Sequence, residues 1–201
     1  MKLHQYLEKA LGNKVTISVL RTLVRYKGKI FTIRRLAQDA GASHPGVSET
    51  VDELEKLGIV QIQPVGRSHQ VSLNEKSYVL KKIIEPMFMV EKQTLDQVIL
   101  ILKKHLSTKK IISAVVFGSV SRGQEKEDSD IDVFIVSDDF DDAIDAVSNA
   151  SQEIFAKFHS EVSPIVFSKS ELKSKKKSEL VRSILDNHTV ICGKNLEDVL
   201  K

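Results

Sequence analysis

Two aspartates, Asp130 and Asp132, open the apolar stretch DIDVFIV, and a Gly118-Ser119 pair closes an earlier one, IISAVVF, with ten residues between Ser119 and Asp130. Residues two apart in a strand point to the same side, so the two carboxylates converge. Side by side they repel each other, and the edge of a core raises the cost of ionising both. A cation between them removes that cost. Hard oxygen ligands with room left for water and phosphate oxygens suit Mg²⁺. Gly118 has no side chain, so a phosphate chain can approach its backbone. The Ser119 hydroxyl and nearby N–H groups are then available to the phosphate oxygens. Arg122, in the S-R-G of the same loop, is placed to balance phosphate charge. A lone D-x-D also occurs in solvated acidic turns. The weight lies with the whole pattern of G-S, ten residues and D-x-D between two apolar strands.

The elements that must position these groups follow from periodicity. Residues 111–117 form a continuous apolar run that suits a buried strand, 118–129 a loop, and 130–136 a second strand. Residues 141–159 read as a helix with Ile144, Val147, Ile154, Phe155 and Phe158 inward. Residues 161–167 form a third strand, which Pro164 assigns to an edge or a bulge. A lysine-rich helix is expected over 171–187 and a final strand over 189–193. The run Lys173 to Lys177 reads as a solvated face in preference to a nucleic-acid patch. Cys192 is the only cysteine, which excludes an internal disulfide and any C-x-x-C metal pair. It reads as a small buried apolar residue.

This pattern resembles the minimal nucleotidyltransferases of the DNA-polymerase-β superfamily, close to the antitoxin-type members that share G-S-x10-D-x-D. The resemblance covers roughly residues 108–193. It implies a mixed sheet backed by helices and transfer of a nucleoside monophosphate from an NTP, ATP first among them, to an acceptor with release of pyrophosphate. Gly118 and Ser119 match the family's triphosphate-binding pair, and Asp130 and Asp132 its metal-binding pair, for one or two Mg²⁺ ions. The family usually adds an acid on a later strand. Ser163 holds the nearest equivalent position here, and Glu161, two residues earlier on the same strand face, is the candidate catalytic acid. The acceptor that the resemblance implies is a protein hydroxyl, as in antitoxins that adenylylate a partner toxin, or a small molecule.

The front of the chain has a different pattern. Residues 14–26 place Val15, Val19, Leu20, Leu23 and Val24 on one helical face. Residues 32–40 form a second helix with Thr32 as N-cap and Gly41 as its stop. Ser43 caps a third, with Pro45 in its first turn, that Gly58 ends. A hairpin is expected over 59–74, with Pro64 and Gly66 between its strands. Three helices and a hairpin resemble the winged helix-turn-helix of small prokaryotic regulators. That resemblance implies double-stranded DNA as a partner, with Ser43, His44, Ser48 and Glu49 at the reading end of the third helix and Arg67 and His69 on the wing. Arg34 and Arg35 would contact phosphates. Glu49, Asp52, Glu53 and Glu55 on the same helix argue against DNA and for protein docking. His44 reads as a surface residue, with no second His or Cys at ligand spacing.

Between these parts, residues 75–106 carry a helical apolar stripe that Pro86 should kink or divide. The stripe suits pairing with another subunit, giving a homodimer, and packing on the chain's own domains equally well. The expected organisation is therefore α+β, with a winged helix-turn-helix domain over 1–74, a helical linker over 75–107 and a nucleotidyltransferase-fold domain over 108–201. Charge divides the same way. Residues 1–74 hold 11 Lys/Arg against 6 Asp/Glu, and residues 108–170 hold 6 against 12, which suggests two units with different partners. No signal-like or bilayer-length apolar run occurs, so a cytoplasmic protein without membrane contact is expected. Function reads as a Mg-dependent nucleotidyltransferase with a DNA-binding head, belonging with the toxin-antitoxin proteins. The alternative is a transcriptional regulator whose nucleotidyltransferase-like domain senses nucleotide or docks a partner without turnover.

Overall fold

The computed structural model describes residues 6–66, 68–124 and 129–201. Two compact units divide the chain, Met1–Gln93 and Thr94–Lys201. The first contains α1 (Leu7–Leu11), α2 (Lys14–Arg25), β1 (Phe31–Thr32), α3 (Ile33–Ala40), α4 (His44–Lys56), β2 (Val60–Val65) and β3 (Ser68–Leu73). Its boundaries are set by caps that satisfy otherwise orphaned backbone donors. The Thr32 side chain accepts from the Arg35 N–H, and the Ser43 side chain from the Gly46 N–H. Gly41 closes α3 with φ 64°, a left-handed conformation that glycine adopts without penalty. β2 and β3 form the antiparallel hairpin, with Ile62 opposite Val71, and the two-residue β1 adds a third strand beside β3. Leu20, Leu23, Phe31, Leu36, Val51, Leu54 and Val71 fill the core.

Leu80–Ile84 form a π-helical turn that runs into α5 (Glu85–Leu106). The helix is not divided at Pro86. The Glu85 N–H bonds the Leu80 carbonyl five residues back, so the proline, which has no N–H to give, falls where the hydrogen-bond register resets. The apolar stripe is shared between the chain's own cores. Val79, Leu80, Ile84 and Phe88 belong to the first, and Val98, Ile101, Leu102 and Leu106 to the second.

The second unit continues with β4 (Ile111–Phe117), α6 (Gly118–Ser121), β5 (Ile131–Ser137), α7 (Phe140–Phe158), β6 (Val162–Phe167), α8 (Lys169–Ser174), α9 (Glu179–Asp186), β7 (His188–Gly193) and α10 (Leu196–Val199). Its sheet has the order β6-β5-β4-β7. β5 and β6 are parallel and the other pairs antiparallel, so the sheet is mixed. β6, with Pro164, is an edge strand. Alternation splits the apolar residues between two layers. Ala114, Val116, Ile131, Val133 and Ile135 pack with α5 and α7. Val115, Phe117, Phe134 and Val136 pack with α8, α9 and α10. With both faces covered, β4 and β5 need no polar face, which is why they read as continuous apolar runs.

Four sequence expectations are corrected. Pro64 lies inside β2, opposite His69, so it does not separate the hairpin strands. The loop at 118–129 begins with the single turn α6. Residues 171–187 are two helices, because Ser168 and Glu171 form a capping box that starts α8 and Ser178 caps a new helix. On α7 the inward positions are Ala143, Val147, Ala150 and Ile154, while Phe155 is exposed and stands edge-on to His159, ring centroids 5.6 Å apart.

Glu153 of α7 ties that helix to α5. It accepts from Lys104 Nζ at 2.9 Å and from Lys157 Nζ at 2.8 Å, and His105 Nε2 stands 2.9 Å away. These partners hold its carboxyl well below the usual carboxylate range. A lowered folded-state value stabilises the fold above the ordinary carboxyl pKa and is lost as pH falls through the folded value. Glu153→Gln should therefore lower the melting temperature at neutral pH. The gap to wild type should close as pH falls below 4.5, the ordinary value, in thermal denaturation at several pH values. No helix among the described residues is long and apolar enough to cross a membrane.

Candidate active site

The end of β4 and the start of β5 lie side by side because the strands are antiparallel neighbours, with Val116 opposite Val133. The chain leaves β4 through Gly118 at φ 77°, a left-handed conformation. A Cβ built on Gly118 would overlap the Asp132 carboxylate, with Asp132 Cγ at 3.2 Å and Cβ at 3.4 Å. The missing side chain at 118 is thus the space that the Asp132 carboxylate occupies. Asp132 is half-buried and Asp130 exposed. Burial pushes the Asp132 carboxyl upward, the charge of Asp130 pushes it further, and the Arg122 guanidinium opposes both. These influences place Asp130 and Arg122 within electrostatic reach of Asp132. Among the described residues no lysine or arginine forms an ion pair with either aspartate, and no group of three His, Cys, Asp or Glu gathers to hold a metal.

The backbone around the pair is held from within. Ser121 Oγ donates to the Gly118 carbonyl at 2.9 Å, and the Ser119 carbonyl accepts from the N–H groups of Arg122 and Gln124 at 3.1 and 3.0 Å. Ser119 is half-buried and Arg122 exposed. On the neighbouring strand, Ser163 lies abreast of Asp132. Glu161 stands one residue before β6, exposed, and its carbonyl accepts from the Ile131 N–H at 2.8 Å. Register puts Glu161 beside Asp130 on the same sheet face, two residues (roughly 7 Å) from Ser163. It is not drawn into a cluster with the two aspartates.

Sequence reasoning missed what lies on the other side of Arg122. A cavity of about 570 Å³ is lined by Arg122, Lys177, Arg182, Ser183 and Asn187, with the acids Glu179 and Asp186 in the same wall. Lys177, which the sequence assigns to a solvated face, therefore faces Arg122's cavity. The signal in the sequence is the polar row Glu179, Arg182, Ser183 and Asp186 opposite the buried Val181 and Ile184 of α9.

In the first unit, Arg34, His44 and His69 are exposed and Ser48 half-buried. Ser43 spends its side chain on the helix cap. Arg35 is engaged by Asp39, Nε to Oδ1 at 2.9 Å, one turn along α3. Arg67 lies outside the described residues.

Residues 95–191 match the family model of the nucleotidyltransferase domain. With the mixed sheet backed by helices, this match defines the class: the second unit is a nucleotidyltransferase domain. No curated protein matches the chain. Among solved structures, the chain is similar to a toxin-antitoxin with AMP-PNP, at 20% identity over 52% of this chain and 79% of that one, with a TM-score of 0.37. It is similar to a mutant of the toxin-antitoxin MntA-HpeT at 19% identity over 52% and 79% of the two chains, TM-score 0.36. It is also similar to TrmBL2, an archaeal chromatin protein with a novel mode of DNA binding, at 19% identity over 90% and 73%, TM-score 0.30.

Proposed function

We propose that this nucleotidyltransferase moves a nucleoside monophosphate from an NTP, ATP first among candidates, to a hydroxyl of a protein or small molecule. The observation that carries this reading is the seating of the Asp132 carboxylate in the space left by Gly118, with Asp130 alongside. The donor set fits Mg²⁺. Two like-charged carboxylates, one of them half-buried, without an ion-pair partner among the described residues, favour a divalent ion that takes its remaining ligands from water and phosphate. Asp130 and Asp132 would hold it. Bound there, Mg²⁺ neutralises charge on the triphosphate oxygens.

The chain's own groups do the rest. Ser119 and the backbone at Gly118 hold phosphate oxygens, and Arg122 balances their charge. The acceptor oxygen bonds to the α-phosphorus, and the bond from that phosphorus to the α–β bridging oxygen breaks. Pyrophosphate leaves with that oxygen and the electron pair. Glu161, outside the metal pair but on its sheet face, takes the acceptor proton. Incubation of the protein with ATP labelled at the α-phosphate, Mg²⁺ and a lysate of a prokaryotic host tests the reading. Label should pass to a protein or small molecule, and Glu161→Gln should slow transfer by about a hundredfold, the lower end of general-base contributions. Unchanged transfer in that variant removes Glu161 from the mechanism. No labelled product with the wild type, while nucleotide still binds, favours a sensor without turnover.

The first unit, in this proposal, is a winged helix-turn-helix that binds double-stranded DNA. α4 enters the major groove by His44 and Ser48, and Arg34 and His69 meet phosphates. Affinity for the protein's own upstream DNA should fall steeply with salt. Arg34→Ala should reduce the slope of log K against log salt by about one. Binding that is absent at low salt points to protein docking, which the acidic side chains of α4 also suit.

A further inference from the structure

We propose that the cavity beside Arg122 receives the outer two phosphates of the nucleoside triphosphate, with Lys177 and Arg182 gripping the pyrophosphate that departs. This rests on the nucleotidyl-transfer reading above and extends it to residues that no part of the G-S and D-x-D pattern contains.

Four observations lead there. First, Arg122 belongs to both places. It lines the cavity, and its charge reaches the Asp132 carboxylate. Second, the cavity and the carboxylates share a sheet face. Asp132 alternates in phase with Phe134 and Val136, whose side chains pack with α8, α9 and α10, and α9 supplies the cavity wall. Third, the cations are uncommitted. Among the described residues none of Arg122, Lys177 and Arg182 has an acid within ion-pair distance, and Arg122 gives only a 3.4 Å hydrogen bond to Gln124.

Fourth, the charges are ordered along α9. Its C-terminal end adjoins β7, whose first residue His188 pairs with Phe117, next to Gly118. From that end outward the wall runs through Asn187, Asp186, Ser183 and Arg182 to Glu179 and Lys177. The outer end is the helix N-terminus, where Ser178 Oγ takes the Val181 N–H and the dipole favours a terminal phosphate. A helix of this length extends about 12 Å, enough for a phosphate chain to lie along it. The acids Glu179 and Asp186 leave the lining with one net positive charge. A phosphate chain already neutralised in part by a divalent ion fits this wall better than a bare polyanion. When the bond between the α-phosphorus and the bridging oxygen breaks, the pyrophosphate that keeps this oxygen and the electron pair is the product left in the cavity. Diphosphates, lacking the outermost group, should bind less well than triphosphates.

The test is isothermal titration of the full chain in Mg²⁺ with inorganic triphosphate, and separately with AMP, for wild type and the double variant Lys177→Ala/Arg182→Ala. Both side chains are exposed, and an unchanged melting temperature would verify the fold. We expect the triphosphate affinity to drop at least about tenfold, as two charge-assisted contacts are lost, while AMP binds as before. Equal triphosphate binding by both proteins overturns the proposal. Loss of AMP affinity instead would mean that the cavity takes the nucleoside end, which overturns it too. If the wild type ignores inorganic triphosphate yet binds ATP with Mg²⁺ in an Asp132-dependent way, only the cavity assignment falls. If it binds neither, the nucleotidyl-transfer reading falls with it.

Discussion

Replacing Asp132 by Asn is expected to lower nucleotidyl transfer steeply while making the free protein more resistant to heat at neutral pH. The two effects have one cause. Desolvation and the neighbouring Asp130 charge raise the Asp132 carboxyl above its ordinary value. An acid whose folded-state value is raised stabilises the fold most when protonated. That contribution is complete below the ordinary value and disappears as pH rises through the folded one. At neutral pH the ionised carboxylate is therefore a burden on the free protein, and the neutral amide of the same shape relieves it. The melting temperature of Asp132→Asn should exceed that of wild type at neutral pH and coincide with it in acid, where the carboxyl is protonated. Divalent ion with NTP should reverse the order. A ligand at a hundred times its dissociation constant adds about 2.7 kcal/mol to the protein that binds it, and the variant gains nothing. Ion-mediated charge stabilisation is worth several kcal/mol, so transfer should fall about a thousandfold at ~1.4 kcal/mol per factor of ten. A variant that transfers normally, or one destabilised at neutral pH, contradicts this account.

The second large effect is expected at Gly118. Alanine there must adopt φ 77°, at a cost of about 1–2 kcal/mol for a residue with a Cβ. Its Cβ must also enter the space of the Asp132 carboxylate. Backbone strain alone would lower stability and leave the rate intact. Displacement of the carboxylate adds a catalytic loss, and misplacement by about 1 Å can cost a hundredfold. Gly58→Ala separates the two. Gly58 has φ 70° and open space around its missing Cβ, so its substitution carries the same backbone cost far along the sequence from the site. Gly118→Ala should lose about a hundredfold in transfer rate, and Gly58→Ala should lose stability with little change in rate. Equal rates for the two variants would mean that the contact between Gly118 and Asp132 has no catalytic role.

Much of the second unit is legible in its sequence because its strands are buried on both faces. IISAVVF and DIDVFIV stand out as apolar runs, and antiparallel neighbours joined by one loop must bring the end of the first beside the start of the second. The approach of Gly118 to Asp132 follows from that pairing. Side-chain caps made α3 and α4 equally readable, since Thr32 and Ser43 stand where orphaned backbone donors need partners. What stayed hidden has physical reasons. β1 has two residues, too few for a period, and exists because β3 offers an edge. The seam of α7 is lined by small Ala143 and Ala150, so the large Phe155 misleads a reading that sends the biggest side chains inward. The split between α8 and α9 is written in Ser168, Glu171 and Ser178, but the lysines between them obscure it. The cavity beside Arg122 shows in the sequence only as the polar row of α9. Its walls meet only because β7 pairs with β4, a contact between segments some 70 residues apart that no local pattern records.

In the proposed mechanism Asp130 and Asp132 together hold a divalent ion against a nucleotide beneath Gly118. Paramagnetic resonance of Mn²⁺, used in place of Mg²⁺, measures it directly when free and bound ion are counted with and without ATP. Wild type should retain Mn²⁺ when ATP is present, and Asp130→Asn and Asp132→Asn should each release it while keeping their fold. Equal retention of Mn²⁺ by all three proteins would place the ion elsewhere and leave the paired aspartates without the role given to them.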